Sequence, residues 1–345
     1  MQSRTIARTL ALGLALMIFS GAAMAQYQLT NLSSNQFKQA NHDDPLLVNG
    51  WGLVHPPGGP WWVSDEGSGW STLYDGQGNA NQALKVLIPT AGENGPGSPT
   101  GIVYNASSDF QLGGSATIFL FADMDGSITG WAPGTNFNQA VLAPLVGAPT
   151  GASYTGLAIS NNASNNHLYA ADFANNTVDV YDGSFNLVNQ LTAPAVPAGF
   201  VPFGIQDING LVFVAYAEAN ETKGGYVIVF EEDGTPVNQG KPFIQGAPLN
   251  QPWGFAVAPK NFGPLSNTLL ISNNTNTGII NAFNWDGQFV GTVKDTNGNA
   301  IIINQLWGIG FGDGTGKNGA ANELFFTAGP ANNLAGTFGA IRFKP

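Results

Sequence analysis

The chain has 345 residues, with 46 glycines, 21 prolines, only 10% charged side chains and no cysteine. Disulfide scaffolds, thiol catalysis, iron–sulfur clusters and cysteine-bound zinc are therefore excluded. Twenty-two acidic against 11 basic residues give a net charge of −11, a poor balance for holding nucleic acid or an anionic lipid surface.

Residues 1–25 read as a secretory signal peptide. Arg4 and Arg8 precede the apolar run ALGLALMIFSGAA, and Ala23-Met24-Ala25 offers small residues for cleavage before Gln26. The run is shorter than the ~20 residues of a spanning helix, so a secreted or periplasmic chain with no membrane span is expected. Without the two arginines its nine cations face 22 acids, a net −13. YQLTNLSS at 27–34 is a strand-like run standing apart, and NQFKQANHDDPLLV at 35–48 leads from it into the first of a series of repeats.

Each repeat opens on an anchor: WGLVHPP at Trp51, TGIVYNA at Thr100, TGLAISN at Thr155, FGIQDIN at Phe203, WGFAVAP at Trp253 and WGIGFGD at Trp307. The anchor glycines Gly52, Gly101, Gly156, Gly204, Gly254 and Gly308 are 49, 55, 48, 50 and 54 residues apart. A hairpin pattern follows the anchor, as in WWVSDEGSGWSTLYDG (61–76), IFLFADMDGSITGWAPG (118–134), LYAADFANNTVDVYDG (168–183) and LLISNNTNTGIINAFNWDG (269–287). An apolar run, a polar turn and an alternating run make two strands, and segments such as FNLVNQL (185–191) add a fourth. Six such units without a helix signal predict an all-β fold, a six-bladed β-propeller occupying 26–345 as one domain. The sixth unit, ending in GTFGAIRFKP, has three strands only, so residues 27–34 are expected to supply its outer strand and close the ring.

The anchor glycines are expected where inner strands crowd the axis and a Cβ would collide. Trp51, Phe203, Trp253 and Trp307, just before them, read either as core between blades or as an aromatic platform for a planar ligand. The residues ending the second strand of each unit form a column, Asp65, Asp123, Asp172, Glu218, Asn273 and Gly329. Three positions before the anchor glycines stand Asn49, Ser98, Ser153, Val201, Gln251 and Gln305. Both columns belong to one face of a propeller, so they are expected around one mouth of its channel. Acids and amides there stabilise turns by bonding nearby N–H groups. Converging, they would instead form an oxygen-rich site for Ca²⁺ or Mg²⁺, although Asp123-Met124-Asp125-Gly126 lacks the twelfth-position Glu of a calcium loop. His55 and His167 belong to the opposite face as structural histidines. His42, in NHDDP, is placed near the acidic mouth as a proton carrier or a solvated loop residue. No nucleophile elbow, H-E-x-x-H or phosphate-binding loop is present.

DPLLVNGWGLVHPPGGPWWVSDEGSG, PTGIVYN, LYAADFANNTVDVYDGSF, PFGIQ and LWGIGFGDG resemble, over nearly the whole mature chain, an uncharacterised family of secreted bacterial propellers. More distantly the chain is similar to NHL-repeat and gluconolactonase-type six-bladed propellers, a resemblance that implies a divalent metal in the channel. The metal pattern of those lactonases has no residue-by-residue match here. The expectation is a monomeric binding or scaffold protein for a small molecule, carbohydrate or protein, with its ligand or cation site at the acidic mouth. The alternatives are a metal-dependent hydrolase of lactones or related esters and a matrix or surface module working through its rims.

Overall fold

The computed structural model describes residues 26–92, 95–160, 166–218 and 224–345. The signal peptide expected at 1–25 lies outside the described residues. Six antiparallel sheets of four strands each stand around one axis. From the axis outward, blade one is Gly50–Val54, Trp61–Asp65, Trp70–Tyr74 and Val86–Leu87. Blade two is Pro99–Tyr104, Phe119–Asp123, Ile128–Trp131 and Val141–Leu142. Blade three is Tyr154–Ser160, His167–Asp172, Thr177–Tyr181 and Leu187–Leu191. Blade four is Phe200–Ile208, Leu211–Glu218, Tyr226–Glu231 and Ile244–Gln245. Blade five is Pro252–Val257, Leu269–Asn273, Ile280–Phe283 and Phe289–Thr292. The six-bladed propeller expected from the repeats is the fold. No helix among the described residues is long and apolar enough to cross a membrane.

Blade six is composite. Leu306–Phe311, Glu323–Ala328 and Thr337–Lys344 are joined by Gln26–Ser34, which pairs antiparallel with the last strand from Tyr27↔Phe343 to Ser34↔Thr337. The N-terminal strand thus closes the ring, as its isolation in the sequence predicts. It is tied to both neighbours. Tyr27 Oη donates to Phe262 O at 2.7 Å on the side of blade five, and Ser33 Oγ donates to Gly78 O of blade one. Beyond the expectation, His42–Asp43 adds a short parallel fifth strand outside it.

The strands alternate, and both faces are buried. On one strand of blade one, Trp61 and Val63 pack toward Phe325 and Phe338 of blade six, while Trp62 packs toward Phe119 and Trp131 of blade two. A twisted sheet with two apolar faces is stable only when both are covered. Each of the six gaps between blades accordingly holds its own apolar cluster.

The inner strands come so close to one another that side chains are excluded. A Cβ on Gly52 would lie 2.6 Å from Thr100 O, on Gly254 2.6 Å from Trp307 O and on Gly308 2.7 Å from Trp51 O. On Gly101 and Gly204 it would run into the backbone of Leu157 and Trp253. Only Gly156 has some room, its nearest neighbour being Ile205 Cγ2 at 3.2 Å. Every inner strand also slips register at or beside its anchor, for example between Gly50 and Leu53 and between Leu306 and Ile309. Such a bulge re-aims the side chain it carries.

Backbone contact cannot be relieved by a rotamer change. Gly204→Ala and Gly101→Ala should therefore each cost about 3 kcal/mol, and Gly156→Ala about 1 kcal/mol or less, read from urea-unfolding midpoints of the purified chain. Equal costs at the three positions would contradict this account of the axis.

Candidate functional site

The bulges turn the anchor aromatics into the axis. Trp51 and Trp307 stack with centroids 3.6 Å apart at 17°, and Trp253 stands edge-on to both, at 6.1 and 5.7 Å. Phe203 fills the remaining side, 5.6 Å from Trp307, with Phe173 6.1 Å behind it. None of the four anchor rings is more than 8% exposed. Trp307 Nε1 donates to Asn49 Oδ1 and Trp253 Nε1 crosses the axis to Thr155 O, both at 2.9 Å. The four rings thus form a seventh cluster, on the axis itself. They are core shared between blades, as one of the two readings expects, but gathered on the axis instead of on the blade faces, and they plug the channel at the end where the acidic mouth was expected.

The other half of the channel is open. A cavity of about 370 Å³ reaches from Trp253 and the anchor glycines to the far ends of the inner strands, at His55, Tyr104, Ile159, Asp207 and Phe311. Its walls are mainly aliphatic, with Leu53, Ile102, Leu157, Ile205 and Ile309. Polar groups gather at the mouth. His55 is fully engaged, with Nε2 3.1 Å from Phe311 O and Nδ1 3.0 Å from Asn318 Nδ2. Asp207 Oδ1 accepts Gly210 N at 3.2 Å, while Oδ2 is buried without a partner. Burial, with Glu232 adding to it, pushes the Asp207 carboxyl up to about 6. His55, Tyr104 and Asp207 occupy the same place in their repeats, three residues after the anchor glycine. Aligning that column would have located the open mouth from the sequence.

The acidic columns are placed on the plugged face, but they do not converge. The carboxylates of Asp123 and Asp172 are spent within their own blades. Asp123 Oδ2 accepts Ser98 N at 2.7 Å and Oδ1 accepts Asp125 N at 3.1 Å. Asp172 Oδ1 accepts the N–H groups of Ser153, Ala174 and Asn175, each at 3.1 Å. Asn273 Oδ1 accepts Asn250 N and its Nδ2 donates to Pro248 O. Glu218 is half-buried and offers its carbonyl to Gln251 Nε2. Asn49, Gln251 and Gln305 all have a left-handed backbone, with φ of 48°, 51° and 50°. Asn49 joins Trp307 to Glu66, and Gln305 donates to Asn276. Among the described residues, no three His, Asp or Glu side chains form a group able to hold a metal ion. Asp65, Asp123, Asp172, Glu218 and Asn273 are therefore not brought together as a ring of ligands for Ca²⁺ or Mg²⁺, and turn chemistry occupies the oxygens of Asp123, Asp172 and Asn273. His42 is corrected as well. It lies in the outermost strand of blade six, four strand spacings, or about 19 Å at the usual spacing, outside the innermost strand of that blade.

Asp65 serves a different network. Its Oδ2 is 2.7 Å from Thr72 Oγ1, which is 2.9 Å from Tyr74 Oη, which is 2.9 Å from Asp44 Oδ2. Three oxygen–oxygen hydrogen bonds need three protons, and the two hydroxyls supply one each. The third sits on a carboxyl. Asp65 suits it: the residue is fully buried, Oδ1 has no partner, and burial above all, with Asp44 nearby, holds its pKa well above the carboxylate range. The protonated group passes the series from Asp65 to Thr72, Tyr74 and Asp44. Phe338 of blade six, stacked on Tyr74 at 4.9 Å, covers it. A second network, between blades two and three, closes without a shared proton. Tyr154 and Tyr181 share one contact and Tyr154 donates to Asp179 Oδ2, while Thr177 and Gln190 donate to Oδ1.

No family model matches the chain. The "Uncharacterized protein R648" of Acanthamoeba polyphaga mimivirus is 29% identical over 342 residues, covering 92% of this chain and 81% of its own length. That relative is viral, where the sequence pointed to secreted bacterial proteins. Among solved structures, a gluconolactonase from Xanthomonas campestris superposes with a TM-score of 0.58 at 14% identity, covering 93% of this chain and 90% of its own. A calcium-binding regucalcin from Agrobacterium tumefaciens gives 0.55 at 12% identity, covering 86% and 92%. At such identities the likeness is one of fold, the six-bladed propeller.

The shared proton makes stability depend on pH. A carboxyl whose folded pKa is raised keeps its proton where the unfolded chain has lost it, so its stabilisation is complete below about pH 4 and is lost as pH rises through the folded value. Asp207, pushed to about 6, and Asp123, pushed by burial to about 7, act in the same direction. The unfolding temperature should fall from pH 4 to 8. Asp65→Asn, which can still donate to Thr72, should flatten the slope without abolishing it and raise the unfolding temperature at pH 8. Parallel slopes for the two proteins would remove the proton from Asp65.

Proposed function

We propose that this chain is a non-catalytic binding propeller that takes a small, largely apolar molecule into the open half of its channel. The carrying observation is the cavity of about 370 Å³, walled by inner strands and bounded at its inner end by Trp253 of the axial aromatic cluster. Small-molecule sites are concave, mainly apolar and furnished with a few polar groups. Gln206 and Asp207 at the mouth fill that last role, favouring a ligand with a hydrogen-bond donor or a positive charge at one end. The signal-peptide pattern read at 1–25 favours binding outside the cytoplasm.

A metal-dependent hydrolase of lactones is supported by the fold alone. It requires several oxygen donors aimed at one point. The acidic columns of this chain direct theirs to backbone N–H groups instead, so the donors do not fit a channel metal.

Thermal unfolding against a panel of small apolar amines and alcohols tests the reading. A ligand at 100 times its Kd stabilises the folded chain by about 2.7 kcal/mol. Ile159→Trp, filling the half-buried mouth, should abolish the shift and leave the free protein's unfolding temperature within a few degrees of the parent. Shifts that survive the substitution, or no shift with any compound, would sink the proposal.

A further inference from the structure

A second concavity lies on the rim between blades four and five, apart from the channel. It encloses about 450 Å³. Its floor is Phe213, Val229 and Ile208, all buried, and its sides are the half-buried Leu211, Val237 and Phe243. Trp285 overhangs it, 47% exposed. The walls are held firmly. Phe213 and Phe243 meet edge to face at 5.8 Å. The turn carrying Trp285 is fixed by Asn284 Oδ1, which accepts Asp286 N at 3.0 Å and Gln288 N at 2.8 Å. Gly287 in that turn presses on the Phe243 carbonyl so closely that a Cβ has no room. The groove is thus built between two blades and needs no rearrangement to receive a ligand.

Its charge is the reverse of the molecule's. The chain carries twice as many acids as bases, yet the lining contains one cation, the exposed Lys241, and no acid. Asn238 lies within the short turn Val237–Gly240 and Lys241 directly follows it, while Val237 of the same turn forms part of the apolar wall. A polar, cationic lip therefore adjoins an aliphatic and aromatic trough. Asp286 is on the neighbouring turn but not in the lining.

From this juxtaposition we infer a site for a free single-chain amphiphile with an anionic head, its chain laid under Trp285 and its carboxylate against Lys241. Apolar burial supplies most of the attraction, and the lysine selects the sign of the head.

Calorimetric titration of the full chain with dodecanoate and with dodecyltrimethylammonium, both below their micellar concentrations, tests this. Dodecanoate should bind at least tenfold more tightly than the cationic amphiphile. Lys241→Glu should reverse that order, and Trp285→Ala should weaken both probes; both residues are exposed, and circular dichroism confirms that the variants fold. Ile159→Trp, which closes the channel, should leave dodecanoate binding unchanged, so the two sites stand or fall separately. Equal affinity for the two heads, indifference to Lys241→Glu, or loss of binding in Ile159→Trp would each overturn the inference.

Discussion

Six strands converge on the axis of this propeller with less than a side chain's width between them, and most of the molecule follows from that crowding. Glycine is required at five of the six points where one inner strand touches the next, Gly156 alone having some room. A bulge then accommodates the neighbouring residue, and the bulge swings that residue off the packed blade faces and into the axis. Four of the six residues so displaced are Trp51, Phe203, Trp253 and Trp307, enough to fill the bore. The other two, Thr100 and Thr155, donate from their hydroxyls to Tyr154 O and Pro202 O of the next blade. One steric constraint thus decides where the channel is blocked, where it stays open and how neighbouring blades are stitched together.

The architecture was legible because it is periodic. The anchors, the hairpins and the spare strand at 27–34 each had to find a place in one closed ring, and only one arrangement seats them all. The site was less legible. Counting along the chain put Asp65, Asp123 and Asp172 on the correct face, yet spacing does not say whether a carboxylate points across a channel or back into its own turn. Nor does an alternating pattern reveal a bulge, so the anchor tryptophans read as blade core when they are axial. The polar mouth at His55, Tyr104 and Asp207 was visible as a column in the repeats, but it sits in strands that otherwise read as buried. The rim groove had no signal at all, since Phe243 and Trp285 belong to different repeats and meet only in the fold.

The likeness to a gluconolactonase and a regucalcin is informative for what it separates. Scaffold and strand count are shared at 14% and 12% identity, and a shared scaffold does not carry its sites with it. In this chain the turns between second and third strands use their acids for self-support. The faces left free to bind are the channel end opposite those turns and the outer rim, both dominated by apolar surface. At the two proposed sites recognition would rest on shape and burial, with charge acting as a selector at the edge.

The composite sixth blade has a kinetic side. Tyr27 must find Phe343, and Ser34 must find Thr337, across almost the entire length of the mature chain. Contacts so distant in sequence are slow to form, because the entropy of closing a very long loop is lost before any pairing rewards it. Blades one to five contain all their own strands and can assemble in order as the chain emerges. Through that interval the free edges of blade six and of the N-terminal strand are exposed together, and these are the surfaces on which a stray strand from another copy would graft. The clasp that makes the finished ring edgeless there is, until its last residues are synthesised, the point at which the chain is most open to misassembly.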